Sequence, residues 1–303
     1  MTQHKRFLAA LKPWILPIAM VIGIVFHSQI GALSFLSKYL IFLMLLITYS
    51  RVSLRHFSVD KSMPILLSIQ IIGAVITYLA LIRFNKVAAE AIAMCFFCST
   101  ATAAPVITGM LGGSIEKVAV FSLFSNLAIA FLGPFLLAIV SDINDLTFTD
   151  SFLSIAQNVL PLIIGPLILA LLFRRFTPKV SNELATHQGL SFYIWAVALI
   201  IVVGNSVSFV LREPPSEIPT IAIIALLSLA ACLIQFYLGR KAGKKYGDPI
   251  SGAQSLGQKN TVLAIWLCLT YLNPLSSVGP AFYIIWHNTV NSWQITKSLK
   301  TAR

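Results

Sequence analysis

The chain has 303 residues, of which 57% are hydrophobic and 11% are charged, and its formal net charge is +12. A soluble domain carries about a quarter charged residues, so this chain has too little polar surface to coat itself in water. The composition excludes a soluble globular protein and indicates an integral membrane protein.

Apolar runs predict about ten membrane-spanning helices, because a helix of roughly 20 apolar residues crosses the hydrocarbon core. In chain order they cover residues 13–31, 34–52, 63–83, 87–111, 116–140, 152–173, 190–211, 217–239, 250–271 and 274–295. The basic N-terminus has no small-residue cleavage pattern after it, so the first apolar run is interpreted as a span and not as a signal peptide.

The basic residues are distributed unevenly between the two sides of these spans. With the N-terminus inside, most of the 22 Lys and Arg residues fall on the cytoplasmic side: Lys5, Arg6, Lys12, Arg51, Arg55, Lys61, Lys117, Arg174, Arg175, Lys179, Arg240, Lys241, Lys244, Lys245, Lys297, Lys300 and Arg303. The opposite side receives Lys38, Arg83, Lys86 and Arg212, with the acidic residues Asp142, Asp145 and Asp150. This positive-inside bias predicts a multi-pass protein of the bacterial inner membrane with both termini cytoplasmic. The positive charge therefore indicates topology, and we expect no nucleic-acid partner.

An even number of spans with both termini inside divides into two halves of five, residues 1–145 and 146–303. Because five is odd, a repeated half inserts upside down, an arrangement common in secondary transporters. A faint repeat supports this, since residues 16–18 (LPI) in the first span resemble residues 160–162 (LPL) in the sixth. The predicted fold class is an all-α polytopic membrane protein of ten transmembrane helices in two inverted five-helix repeats.

Polar residues interrupt the fourth and ninth spans, which are equivalent in this scheme. The interruptions are residues 99–105 (STATAAP) and 255–261 (SLGQKNT). Unwound backbone survives at membrane depth only inside protein or beside a water-filled cavity, and Pro105 favours a break just before it. We expect two broken helices that cross near the midplane, where the N-terminal ends of their second halves would attract an anionic group. The alternative is an ordinary proline-kinked helix packed through small residues.

Lys259 lies near the middle of the ninth span, where an ammonium costs at least about 2.5–3.5 kcal/mol on insertion scales. Such a residue usually has a partner or a function, and the alternative is a lysine that lines a water cavity without a specific role. Glu90, near the outer start of the fourth span, is the acidic residue placed closest to the membrane interior. His287 is interpreted as a packed histidine oriented by Asn288 rather than as a proton shuttle.

Three segments resemble the bile acid–sodium symporter superfamily, and the resemblance covers nearly the whole chain. Residues 11–17 (LKPWILP) are similar to its first span, and residues 257–264 (GQKNTVLA) to its ninth-span signature, G-x-Q-N-x-x-L-A. Residues 286–288 (WHN) match its last span. The resemblance implies a core domain and a panel domain, with the broken helices of spans four and nine crossing. It also implies transport of organic anions, usually driven by sodium.

The resemblance implies two sodium sites, and this chain departs from the family at the first. That site uses an acidic residue at the start of the ninth-span motif and a Ser-Asn pair in the fourth span. In this chain those positions are Ser255, Ala104 and Pro105. Polar residues remain in the fifth span, where Ser122 is followed one turn later by Asn126. The first sodium site is therefore expected to be lost.

The second sodium site of the family uses a glutamine of span three, retained in this chain as Gln70, and the motif glutamine, which is replaced by Lys259. A covalently attached cation is expected where sodium would bind, with Gln258 beside it. The substrate contacts of the family correspond to Thr102 and Asn260, and the adjoining Pro105 and Thr261 are grouped with them.

These residues predict a secondary transporter of a small organic anion that works by alternating access without sodium. No cofactor is expected, and the sequence leaves open whether the coupling ion is a proton, sodium or none. The alternatives are a sodium-coupled symporter of the same family and a non-transporting sensor. A membrane-embedded enzyme is disfavoured because the chain has only 10 acidic residues and nearly all lie in predicted loops. The expected partners are the organic anion and the lipid bilayer, and the oligomeric state is not predicted.

Overall fold

The structure is a computed structural model that describes residues 15–51, 60–140, 147–186 and 188–301. Within these ranges the regular structure is helical, and one isolated antiparallel β-bridge joins Thr100 to Lys259. Several residues used in the topology prediction lie outside the described residues, namely Lys5, Arg6, Lys12, Arg55, Asp142, Asp145 and Arg303.

The α-helices of the described residues follow one another along the chain with short connections. They are α1 (Ile15–Val25), α2 (His27–Ile30), α3 (Leu36–Arg51), α4 (Ser62–Leu81), α5 (Lys86–Phe97), α6 (Ala104–Met110), α7 (Ile115–Val140), α8 (Phe148–Phe176), α9 (Pro178–Thr186), α10 (Gln188–Val210), α11 (Ile218–Lys245), α12 (Pro249–Gly257), α13 (Thr261–Tyr271) and α14 (Val278–Thr301). Short 3-10 turns at Gly31–Leu33, Pro215–Glu217 and Pro274–Ser277 complete the described helical structure.

Each predicted span contains a helix or a pair of helices. Among the described residues, 5 segments are long and apolar enough to cross a membrane: Ser62–Leu81, Ile115–Val140, Phe148–Phe176, Tyr193–Val210 and Pro215–Lys245. A sixth is added if His27–Leu33 and Leu36–Ser50, which are bent by 71°, form one span. The protein is therefore a helical, multi-pass membrane protein. The other predicted spans contain helices that are short, broken or, in α14, more polar.

The long helices expose apolar side chains on one face and bury the other. On α4 the exposed residues include Ile72, Ile76 and Leu79, and on α11 they include Ile223 and Leu226. Exposed apolar surface on this scale is covered by lipid in a membrane protein. A large hydrophobic cluster inside the bundle joins residues from α3, α5, α8, α10, α11, α13 and α14.

The helices pack in two groups. Helices α1, α3, α8 and α10 pack on one another, whereas α4, α5, α11, α12 and α14 form a second set of contacts, with α7 and α13 adjoining both. Helices α11 and α12 pack backbone against backbone, since Gly239 lies against the backbone of Gly252 and leaves no space for a side chain. The broken helices α5–α6 and α12–α13 belong to the second set or adjoin it.

Candidate functional site

The two interruptions lie side by side and form hydrogen bonds to each other. We call residues 98–103, between α5 and α6, and residues 258–260, between α12 and α13, the crossing region. Ala101 N donates to the Gln258 carbonyl at 3.0 Å, and Asn260 N donates to the Ser99 carbonyl at 2.7 Å. Backbone groups inside a membrane protein must be satisfied by protein or water. Each break therefore supplies backbone partners for the other.

Side chains from three other helices or breaks cap the C-terminal end of α5. Gln235 Nε2 donates to the Cys95 carbonyl at 3.1 Å, Lys259 Nζ to the Phe96 carbonyl at 2.8 Å, and Gln70 Nε2 to the Phe97 carbonyl at 2.7 Å. The preceding carbonyl, of Met94, accepts from Cys98 N at 3.1 Å. The last carbonyls of a helix lack partners within the helix, and here three of the last four accept from side chains of other segments, whereas the Met94 carbonyl accepts from the C-cap amide.

The Lys259 side chain is only 1% exposed. Its ammonium lies at the negative end of the α5 dipole, which favours a cation. Among the described residues, no carboxylate lies within 4.0 Å of Lys259 Nζ. The site therefore holds a buried amino group that donates to a helix carbonyl and has no acidic partner among the described residues.

The positions at which the sequence resemblance implied a first sodium site take part in internal hydrogen bonds centred on Thr100. Ser122 Oγ donates to the Thr100 carbonyl at 3.3 Å, and Thr100 Oγ1 donates to the Ser255 carbonyl at 2.6 Å. Asn126 Nδ2 donates to the Ser122 carbonyl at 2.8 Å. Ala104, which starts α6, is buried. These residues meet around the crossing region, and Thr100 links them.

The N-terminal ends of the two second half-helices differ. Helix α6 has 7 residues, and its first amides are used by backbone carbonyls: Ala104 N donates to Ala101 O at 3.0 Å, and Val106 N donates to Ala103 O at 3.1 Å. Pro105 is buried and has no N–H. Helix α13 has 11 residues and is capped by Asn260, whose Oδ1 accepts from Leu263 N at 3.3 Å. The first amides of α13 are thus also used, since Thr261 N donates to the Lys259 carbonyl at 2.9 Å, and the two ends differ mainly in helix length and in the side-chain cap.

Several buried polar side-chain atoms in the crossing region and on α7 and α13 have no hydrogen-bond partner among the described residues. These buried atoms are Asn260 Nδ2, Thr261 Oγ1, Ser99 Oγ and Asn126 Oδ1. Thr102, which also belongs to the crossing region, is half-buried. Buried polar groups in proteins are nearly always paired, so such a group of unpartnered atoms is typical of a ligand site.

Three expected arrangements differ in the structure. Gln258, which was expected beside the cation, donates from its Nε2 to Gln254 Oε1. Asn288 does not orient His287, since Asn288 Nδ2 donates to the Ile284 carbonyl of its own helix at 2.8 Å. Gln70 contacts Phe97 rather than Lys259, and its Oε1 accepts from Ser125 Oγ at 2.8 Å.

Sequence reasoning missed Thr100, Ser125 and Gln235. Thr100 was part of the polar interruption, but nothing in that pattern distinguished it from Thr102. Ser125 donates to Gln70 and accepts from Thr100 N at 3.2 Å. Gln235 is a polar residue within the long apolar α11, and such a position is the only sequence signal that pointed to it.

A small cleft opens between the starts of α4, α7 and α12, away from the α5 end. It has a volume of about 10 Å³, and its lining includes Asp60, Lys117, Asp248, Ser251 and Ser255. Lys117 Nζ lies 2.7 Å from Asp60 Oδ2. Partial burial acts to raise the pKa of Asp60, but hydrogen bonds from Lys117 and Ser62 outweigh it and lower that pKa below its ordinary value of 3.8. The ion pair therefore closes one end of a cleft whose lining reaches Ser255.

Comparison with known proteins finds a distant relative among bacterial transporters. No known family model matches the chain. The chain is 24% identical over 200 residues to YocS, described as an uncharacterized sodium-dependent transporter, of Bacillus subtilis strain 168. The match covers 66% of this chain and spans 60% of the length of that relative. The chain is thus distantly similar to a bacterial membrane transporter.

Proposed function

We propose that the protein is a secondary transporter of a small organic anion and that Lys259 replaces the cation which sodium provides in related transporters. The observation that carries the proposal is the position of Lys259 Nζ, buried at the C-terminal end of α5 and 2.8 Å from the Phe96 carbonyl. A fixed ammonium there supplies positive charge to the crossing region without any bound ion. The name of the YocS relative supports a transporter in general.

The chemistry of the crossing region supports an anionic substrate. Lys259 has no acidic partner among the described residues, so its charge is not neutralised locally. The N-terminal end of α13 adds a positive dipole, and Asn260 Nδ2 and Thr261 Oγ1 are donors with no partner in the described part of the chain. Thr102 and Pro105 complete the proposed substrate site from the other break. A carboxylate bound there would accept hydrogen bonds from these donors and attract the nearby ammonium.

The proposed architecture has ten spans in two inverted repeats, residues 1–145 and 146–303, with both termini cytoplasmic. Two packing groups, one with α1, α3, α8 and α10 and one containing the broken helices, support a panel domain and a core domain. Alternating access would then move one group against the other around the crossing region. Reporter fusions at Asp150 and at the C-terminus test the topology, and a cytoplasmic Asp150 would contradict it.

A sodium-coupled symporter is the second candidate, and the name of the YocS relative is the observation that favours it. Lys259 argues against it because an ammonium at the end of α5 repels sodium and already satisfies the Phe96 carbonyl. The Thr100 hydrogen bonds likewise use the Ser255 carbonyl and the Ser122 hydroxyl. A proton-coupled version of the first proposal differs only in whether Lys259 exchanges its proton during transport.

Uptake into proteoliposomes tests the proposal. The full chain is reconstituted, and uptake of radiolabelled monocarboxylates, dicarboxylates and bile-acid-like sulfonates is compared with uptake of an organic cation of similar size. We expect saturable uptake of at least one anion class and none of the cation. Uptake of the cation, or of no anion in the presence or absence of sodium, would contradict the proposal.

A further inference from the structure

A stripe of buried polar side chains runs along α14, outside the proposed substrate site. Tyr283, His287 and Asn291 are four residues apart, so they lie on one face of the helix. His287 is 1% exposed and Asn291 is 2% exposed. A polar stripe at this depth is unusual, because polar groups are expensive to bury away from water.

Hydrogen bonds connect the two ends of this stripe to α12. Tyr283 Oη donates to the Gly257 carbonyl at 2.9 Å, next to the crossing region. Three residues beyond Asn291, Gln294 Oε1 accepts from Gln254 Nε2 at 2.8 Å, and Gln254 Oε1 accepts from Gln258. We call these six residues, Tyr283, His287, Asn291 and Gln294 of α14 with Gln254 and Gln258, the polar seam.

The middle of the polar seam contains polar atoms that have no hydrogen-bond partner within the ranges that the structure describes. His287 Nδ1 and both Asn291 side-chain atoms, Nδ2 and Oδ1, are buried and unpartnered there. Asn288, on another face of α14, is satisfied by the Ile284 carbonyl of its own helix. Asn291 thus presents a free donor and a free acceptor beside a free ring nitrogen. A water molecule matches this set, since a buried water typically makes about three hydrogen bonds to otherwise unsatisfied polar groups.

We propose that the polar seam is a water-binding site in which bound water molecules bridge His287 and Asn291 and extend towards Gln254 and Gln294. It gives the crossing region a hydrated connection with the end of α14. The glutamine chain, from Gln258 through Gln254 to Gln294, forms one wall of this connection. The proposal does not depend on what the protein transports.

Hydroxyl-radical labelling by X-ray radiolysis in H₂¹⁸O tests this proposal, because residues beside bound water are labelled even when they are buried. The full chain is reconstituted in nanodiscs, and the labelling rates of His287 and Tyr283 are compared with that of Met44, which is 1% exposed in the main hydrophobic cluster. After correction for intrinsic reactivity, we expect His287 to be labelled faster than Met44. A corrected labelling rate of His287 no higher than that of Met44 would show that the polar seam binds no water and would overturn the proposal.

Replacement of Asn291 provides an independent test. Asn291→Leu removes the donor and the acceptor, and Asn288→Leu is the matched control on the same helix. If water occupies the seam, Asn291→Leu lowers the labelling of His287 and lowers the Tm, whereas Asn288→Leu leaves the labelling of His287 unchanged. If the seam is dry, Asn291→Leu removes two unpaired polar atoms and raises the Tm, and that result would refute the proposal.

Discussion

The two helix breaks of the crossing region look equivalent in the sequence but differ in what their polar groups do. At the first break, the C-terminal end of α5 is satisfied by Gln235, Lys259 and Gln70, and carbonyls of the break itself accept from the first amides of α6. At the second break, Lys259 brings a charge, and Asn260 keeps an amide that has no partner among the described residues. Under the proposed function, the first break is therefore a scaffold that receives the Lys259 ammonium, and the second supplies the groups that bind the ligand.

Lys259→Gln gives the largest expected effect, because it removes the charge that distinguishes the second break. Hydrogen bonds to charged groups contribute about 1.5–3 kcal/mol, so sodium-free uptake should fall at least about tenfold. A glutamine would also match the motif of the sodium symporters that the sequence resembles and offer an oxygen ligand, so sodium should stimulate uptake by the variant. Initial rates in sodium and choline buffers measure both effects.

Lys38→Gln is the matched control, since Lys38 is exposed and its ammonium lies over the Tyr39 ring. This control should transport like the unchanged protein in both buffers. A Lys259→Gln variant with normal sodium-free uptake would show that the ammonium is not needed, and the distinction between the two breaks would lose its basis.

Asn260→Ser should weaken substrate binding by about tenfold, as expected for one hydrogen bond to a charged ligand. Serine keeps an oxygen that caps α13 but removes the Nδ2 donor, so the helix should remain folded. Isothermal titration or scintillation proximity binding measures the affinity. Asn85→Ser is the control, because Asn85 caps α5 by accepting from Ala88 N at 2.8 Å. Equal affinities in the two variants would remove Asn260 from the substrate site.

Gln70→Leu should affect stability more than binding if the first break is a scaffold. The variant leaves the Phe97 carbonyl without its donor and Ser125 without its acceptor, and each unsatisfied buried group costs about 1–3 kcal/mol. We expect a lower Tm in detergent and little change in substrate affinity. Gln29→Leu, at an exposed position, should leave the Tm unchanged. A loss of affinity without a loss of Tm would place Gln70 among the binding groups instead.

Asp60→Asn should have the smallest effect, because it changes an ion pair at the cleft and not at either break. Partly exposed ion pairs contribute at most about 1 kcal/mol. The pKa of Asp60 is lowered in the folded protein, so the pair stabilises the fold at pH values above the ordinary value of 3.8 and this contribution is lost as the pH falls below it. The variant should be slightly less stable at pH 7, and the difference should disappear at acidic pH. A difference that grows in acid would contradict this assignment.

The sequence predicted the positions of the helices well, because apolar runs and polar interruptions carry that information directly. Each predicted span contains a helix, and both interruptions, at residues 99–105 and 255–261, are breaks. Which helices cross the membrane was less predictable, because α1, α5 and α13 are too short to be recognised as membrane spans on their own. A break shortens each helix below the length that hydropathy can identify.

The partners inside the site were less predictable than the residues that form it. Lys259 was identified because a charge within an apolar run is rare, but its partner is a backbone carbonyl, which no side-chain pattern reveals. The pairing of the first α6 amides with nearby backbone carbonyls was also not predictable. Pro105 and its neighbours are equally compatible with amides that are left free for a ligand. Gln235 lies 24 residues before Lys259 in the chain and joins the site only through the packing of α11 on α5.

Sodium dependence of the unchanged protein tests the central claim most directly. Proteoliposomes that contain the full chain are assayed for uptake of the anion class identified in the transport screen, with sodium outside or with choline in its place, at equal ionic strength and without a membrane potential. Because the Lys259 ammonium already occupies the end of α5, we predict equal initial rates in the two buffers. Uptake that is abolished in choline would show that a bound sodium ion, and not Lys259, supplies the cation.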